Sequence, residues 1–419
     1  MRHGLVGGCL AWLAGCNCAD PSLRPDASAP VEDASESREA SGDPEQDAAS
    51  VPNDLGPPRV RDAYVARDPA PDPPGGPCEG TASIRLLNVA EGSPTGRGVV
   101  QAARWGDGLL LQWDVMSTIE RYQVAHVAEP VAGAPEIVLD WVGARALVWL
   151  PTSDEGVRAV FPGSFATLSD DGLGPDVALP PAPAELEEPL PLTACEGAEA
   201  VLFSGSRTGP TVLAFVSWVD GAPRWSAPVV APEGLRDVIC VAGPDGVHAL
   251  AWTGGRDVVS IGWERSGAPL PAYVTWEVGE AEDVYVPIAL AGRDDAGVPL
   301  VIAGSDHPDD LDVGLTVARV GSSAIEPIGS TRVERAPAVG IRVYGATTVS
   351  DRLVVVYAAP LIATVTFDLE RGVAGPATPI AGHGCGPWGH GVALPSGYYV
   401  ALECGLREVW LLRVCGGGS

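Results

Sequence analysis

With 419 residues, the chain is long enough for one large all-β domain or two smaller ones, and 46% hydrophobic content is ample for a packed core. A formal net charge of −28 repels a phosphate backbone and argues against nucleic acid as a partner. All 26 basic residues are Arg; without Lys there is no P-loop, Schiff-base or Ser–Lys chemistry.

The chain opens with Arg2, an apolar run from Leu5 to Leu13, and the stretch Leu13-Ala14-Gly15-Cys16. A basic start, a short apolar core and small residues before a cut are the grammar of an export signal. The run falls well short of the roughly 20 apolar residues that a spanning helix needs. Leu, two small residues and Cys at this point resemble the lipobox of bacterial lipoproteins. The resemblance implies a signal peptide over residues 1–15, a diacylglyceryl group on Cys16, and acylation of the new amino terminus, palmitate being a typical chain. It also implies the outward side of a bacterial membrane, and Asn17 rather than Asp after the Cys favours the outer membrane. Orientation toward the periplasm or the surface is left open. An ordinary secretory signal is the alternative, since it obeys the same grammar.

Residues 16–77 read as a lipid-anchored tether. From Asn17 to Pro77 the chain is rich in Pro, Ala, Ser, Asp and Glu and almost empty of aromatic residues. Such a segment buries too little apolar surface to offset its ordering entropy, so disorder is expected. Its 61 residues give a mean reach on the order of 45 Å, and more where Pro stiffens it.

Residues 78–419 have a different texture. Short apolar or alternating runs are divided by Gly, Pro and Asp turns, and no segment sustains a 3.6-residue period. That density of strands means an all-β sandwich, barrel or propeller. One unit recurs: an alternating strand, a small polar turn, then a Pro-flanked strand, as in Phe215–Pro223 and Ile261–Pro269. Marking the turn at Glu129, Asp171, Gly221, Gly267, Ser322, Gly372 and Gly416 gives intervals of 42 to 55 residues. In period, the body resembles a β-propeller. Seven marks predict seven blades of four strands, although six or eight also fit the spacing. The last unit supplies strands at Gly389–Leu394, Tyr398–Glu403 and Glu408–Val414, and its fourth is predicted to be Ser83–Val89. A ring closed this way leaves no open sheet edge.

Six cysteines remain in the body, an even number that suggests disulfides in an exported chain. An antiparallel pair puts the end of one strand beside the start of the other, so Cys415 is predicted to bond Cys78. Cys385 and Cys404 flank adjacent strands and are predicted to pair. Cys195–Cys240 follows by elimination, and requires inner strands of consecutive blades to meet.

Other candidates are weaker. Arg is split evenly between the two predicted faces, so no basic patch emerges. Three acidic connections, Pro180–Pro189, Gly279–Asp283 and Ser305–Asp312, share one face and are the first place to look for recognition. Asp306, Asp309, Asp310 and Asp312 fall in one of them and are a weak calcium candidate, since their spacing is not that of an EF-hand. His248 lies in an alternating strand and is expected to be a satisfied buried histidine. Gly384–Gly389 has G-x-G-x-x-G spacing, but a strand rather than a helix is predicted to follow. His383, Cys385 and His390 would bind metal only if the thiol were free. No metal or cofactor is therefore assigned.

No G-x-S-x-G elbow or H-E-x-x-H occurs. The expectation is a membrane-anchored envelope lipoprotein presenting its propeller as a binding or scaffolding module for an envelope or cell-surface protein or a polysaccharide. The alternative is an extracytoplasmic carbohydrate-active hydrolase or lyase using Asp/Glu pairs on the propeller face.

Overall fold

Runs of Val, Leu, Ala and Trp flanked by Gly, Pro and Asp form antiparallel strands throughout the body, as their β propensity and turn chemistry require. The computed structural model describes residues 82–87 and 99–414, apart from 117–119, 128–135, 143–146, 170–171, 206–208, 255–256, 279–287, 295, 307–311, 335–340, 350–351, 359–361, 382–384, 395–396 and 405–407. Among the described residues every regular element is a strand. Cys16, the signal and the tether lie outside them, as do Cys78 and Cys415.

Strand β1 (Ala82–Leu87) comes first. The first complete meander is β2 (Val99–Trp105), β3 (Gly108–Met116), β4 (Glu120–Val127) and β5 (Glu136–Val142). The second is β6 (Val148–Pro151), β7 (Val157–Phe161) and β8 (Ser164–Ser169), edged by β9 (Gly172–Leu173) and β10 (Val177–Ala178). The third is β11 (Leu190–Glu196), β12 (Ala200–Gly205) and β13 (Val212–Val219), edged by β14 (Ala222–Trp225) and β15 (Val229–Val230). The fourth is β16 (Arg236–Ala242), β17 (Gly246–Trp252), β18 (Asp257–Glu264) and β19 (Val274–Glu277). The fifth is β20 (Ile288–Arg293), β21 (Pro299–Asp306), β22 (Asp312–Val320) and β23 (Ile325–Glu334). The sixth is β24 (Arg342–Val349), β25 (Arg352–Ala358) and β26 (Ile362–Asp368), edged by β27 (Val373–Ala374) and β28 (Thr378–Ala381). The terminal meander is β29 (Cys385–Leu394), β30 (Gly397–Cys404) and β31 (Glu408–Val414). Its fourth strand is β1, which pairs antiparallel with β31 from Ala82↔Val414 to Leu87↔Val409.

The organisation is that of a β-propeller. Innermost strands are neighbours in succession: β2 with β6, β6 with β11, β11 with β16, β16 with β20, β20 with β24, β24 with β29, and β29 with β2. Hydrophobic clusters sit between successive meanders. One joins Val148, Val160 and Phe165 of the second to Phe203, Val216 and Trp218 of the third. Another joins Leu250, Trp252 and Trp276 of the fourth to Val301, Ala303 and Ala318 of the fifth. A strand covered on both faces buries every residue, which is why β12 and β17 are buried throughout instead of alternating. One polar contact crosses such an interface: Trp149 Nε1 donates to Gln112 Oε1 at 2.6 Å between the first and second meanders. Some outer edges are two-residue strands, such as β10 and β15, a standard device against edge pairing.

The marked turns at Gly221, Gly267, Ser322 and Gly372 each fall between the third strand of a meander and the strand that follows. Glu129, Asp171 and Gly416 lie outside the described residues.

Candidate functional site

Third and fourth meanders are joined directly. Strands β11 and β16 run parallel, with Cys195 opposite Cys240 and Glu196 opposite Val241. The two cysteines form a disulfide across a Cα separation of 4.4 Å, and both are buried. The pair expected by elimination is therefore present, and it fixes the last residues of β11 beside the propeller axis.

Glu196 ends that strand, and Gly197 turns the chain away with φ of 79°. A side chain at 197 would collide with the guanidinium of Arg293, so glycine serves both the turn and the close approach. Arg293 ends β20, two meanders further on, after a register irregularity between Leu290 and Arg293. Its Nη1 donates to Gly297 O at 3.0 Å and its Nη2 to Glu196 O at 3.2 Å. The arginine thus ties its own turn to the end of β11.

Tyr398 approaches from the terminal meander. It is the second residue of β30, is buried, and its hydroxyl fills the space a side chain at Gly391 of β29 would need. Burial pushes the phenol's pKa well above its ordinary 10.0, and the negative charge of Glu196 pushes it the same way. Glu196 of the third meander thus acts on a phenol of the terminal one. The phenol keeps its proton at neutral pH and can donate.

The Glu196 side chain is open to solvent, yet enclosure by protein raises its pKa above the ordinary 4.5, with the Arg293 charge opposing. Three separate meanders therefore bring a carboxylate, a guanidinium and a phenol to one end of the axis. Convergent polar groups with perturbed ionisation mark a candidate site. Sequence reasoning missed it because roughly 100 residues separate Glu196 from Arg293, and again Arg293 from Tyr398; glycines at 197 and 391 are the only local signal that could have pointed to close approaches.

A second polar constellation is a buried chain. His248 Nε2 lies 3.2 Å from Asp245 Oδ1, and its Nδ1 lies 3.3 Å from Ser260 Oγ. A carboxylate only accepts, so Nε2 carries the proton and Nδ1 accepts from the serine hydroxyl. The order matches a nucleophile–base–acid relay, but Ser260 is 2% exposed and His248 1%. No substrate carbonyl reaches that oxygen. The expectation of a satisfied buried histidine holds, and the chain is a structural lock between β17, β18 and the β16–β17 turn.

Elsewhere, Arg158 pairs with Glu199 and its guanidinium stands 5.2 Å over the Trp218 ring, bridging the second and third meanders. Cys385 lies opposite Cys404 in the β29–β30 register. β29 runs through the Gly-rich stretch as a strand, with His390 exposed. Of the calcium candidates, Asp306 ends β21 and Asp312 starts β22, whereas Asp309 and Asp310 lie outside the described residues. Among the described residues no three His, Cys, Asp or Glu side chains gather to hold a metal. Of the three acidic connections, Pro180–Pro189 is described in full. Leu186 plugs into the apolar cluster between the second and third meanders, Trp225 Nε1 donates to Pro180 O at 2.9 Å, and Glu185 and Glu187 are exposed. Gly279–Asp283 lies outside the described residues, and Ser305–Asp312 in part.

No protein-family model matches the sequence, and no curated protein matches it. Solved structures similar to this chain include the β-propeller domain of Cps50 (Swd1) from Myceliophteria thermophila, at 10% identity and a TM-score of 0.45. That match covers 80% of this chain and 99% of that one. A protein from Lactobacillus plantarum is similar at 12% identity and a TM-score of 0.43, over 66% of this chain and 84% of that one. The propeller architecture rests on the strand pairing itself.

Proposed function

We propose that this chain is a lipid-anchored bacterial envelope protein whose propeller, a closed ring of seven blades on a flexible tether, works as a binding or scaffolding module. The observation that carries the binding reading is the convergence of Glu196, Arg293 and Tyr398 from three meanders at one end of the axis. Ligand sites form where a rigid scaffold brings distant polar groups together in a concavity. Closure is supported by the β1–β31 register and by the neighbouring of β29 with β2. Two further disulfides belong to the same reading: Cys385–Cys404, supported by their opposed register, and Cys78–Cys415, supported by the pairing of Ala82 with Val414. The anchor rests on Leu13-Ala14-Gly15-Cys16, and the tether on the composition of Asn17 to Pro77.

Crosslinking and affinity capture from intact cells test the module. One envelope protein or polysaccharide recovered reproducibly, and lost when the propeller is omitted, is the expected result. Intact mass of the membrane-extracted protein tests the anchor: a mature chain beginning at Cys16 without acyl mass refutes it, as does unchanged membrane retention in Cys16→Ser.

A second reading, a carbohydrate-active hydrolase or lyase, draws on the same carboxylate. A glutamic acid whose pKa is raised by enclosure is suited to general-acid work. Polysaccharide turnover by the wild type that Glu196→Gln abolishes would establish it in place of the binding reading.

A further inference from the structure

We propose that the third and fourth meanders form one rigid double blade, clamped along both its edges. The inner clamp is the Cys195–Cys240 disulfide. It joins the only two strands that pair in parallel among the described residues, and it lies where the two meanders run into one continuous sheet. The outer clamp is a strap, residues 265–273, which connects β18 to β19 and ties the fourth meander to the broken outer edge of the third. The strap holds its own shape: Gly267 N donates to Glu264 O at 2.9 Å, and Leu270 N donates to Gly262 O at 2.8 Å.

The third meander needs that strap. Its outer edge is interrupted between β14 and β15, and a broken edge leaves backbone groups without a ladder partner. Inside the gap, Ser226 Oγ accepts from Phe215 N at 2.9 Å. Both backbone groups of Ala227 are satisfied from the fourth meander. Its N–H donates to Gly267 O at 2.9 Å, and its carbonyl accepts from Trp263 Nε1 at 2.8 Å. At the far side of the gap the Tyr273 hydroxyl donates to Val230 O. Between the two clamps, Leu202 and Phe215 share an apolar cluster with Ala249, Ile261 and Trp263. The Phe215 and Trp263 rings meet edge to face there, with centroids 5.6 Å apart. Leu270 of the strap fills the space that a side chain at Gly262 would need, beside His248. A covalent bond at one edge and hydrogen bonds at the other leave this boundary no low-energy way to open. Local openings of the ring therefore fall at other boundaries.

Native-state hydrogen exchange, read by mass on the detergent-extracted full chain with its disulfide intact, tests this. Amides of β12 and β13 should share one opening equilibrium with those of β17 and β18, agreeing within about 3-fold. Their protection should exceed that of β21 and β22 in the fifth meander by about 10-fold or more. Replacing Cys195 and Cys240 by Ala should split the unit, leaving the third and fourth meanders about 10-fold apart. Tyr273→Phe removes one hydrogen bond made by an exposed side chain, and it keeps the test open where the cysteine variant fails to fold. It should speed exchange in peptides spanning residues 226–231 by about 5-fold, the loss of one hydrogen bond, and leave β12 and β17 unchanged. One protection value common to every meander overturns the proposal, as do third and fourth meanders that open separately in the wild type. Unaltered exchange at residues 226–231 in Tyr273→Phe also overturns it, as does a third and fourth meander that stay coupled without the disulfide.

Discussion

Single residues in this molecule either satisfy a buried demand or leave one open. Asp245, His248 and Ser260 satisfy theirs. Ser260→Ala deprives the buried His248 Nδ1 of its donor, and chemical denaturation should register a loss of about 1–3 kcal/mol. Asp245 sets a pH signature. Burial works against its charge, but the hydrogen bonds from His248 and the Ser322 hydroxyl outweigh burial and hold its pKa below the ordinary 3.8. A depressed carboxylate contributes stability that is present above the unfolded value and lost as pH falls through the folded one. The stability gap between wild type and Asp245→Asn should therefore be constant near neutrality and shrink below about pH 4. Glu196 carries the opposite sign. Its raised pKa means the folded state holds the proton more tightly than the unfolded one, so ionisation costs stability as pH rises from 4.5 through the folded value. Glu196→Gln should raise the thermal midpoint at pH 7 and have no effect well below pH 4.5. A lower midpoint at pH 7 would mean that the carboxylate supports the fold.

At the scale of elements, the parallel pairing of β11 with β16 departs from an otherwise antiparallel architecture. It spans only Cys195↔Cys240 and Glu196↔Val241, too few hydrogen bonds to hold alone, and the disulfide supplies the constraint. The bond closes a segment with a sequence separation of 45 residues. Replacing both cysteines by Ala should cost about 2–4 kcal/mol, chiefly through a freer unfolded chain. Calorimetry of the oxidised wild type against the double variant measures it. Because both sulfurs are buried, mild reductant should leave the folded wild type unreduced by mass. Prompt reduction without unfolding would contradict that burial. The pair was legible only as a remainder after the other cysteines had been matched. Parallel contact between consecutive meanders leaves no periodic trace in sequence.

For the whole molecule, the decisive element is a six-residue strand far from its partner. Strand β1 completes the terminal meander by pairing with β31, and without it β31 offers an unpaired edge. A chain lacking Ala82–Leu87 should unfold with lower cooperativity and self-associate, as read by calorimetry and light scattering. A monomer of unchanged stability would show that the contacts between meanders suffice by themselves.

The repeat itself was readable. The turns at Gly221, Gly267, Ser322 and Gly372 recur at blade spacing because each unit needs a small or polar residue where the chain reverses after its third strand. The closing strand was readable too, since a final unit short of one strand demands a partner elsewhere. His248 could be placed in a buried strand, but its partners could not, because hydrogen bonding across β17 and β18 depends on register. Glu196, Arg293 and Tyr398 were out of reach altogether. Local chemistry sets strands and turns, whereas this candidate site is made by residues whose only relation is that three separate meanders carry them toward one end of the fold. That relation is geometric, and it exists only once the meanders have packed against one another.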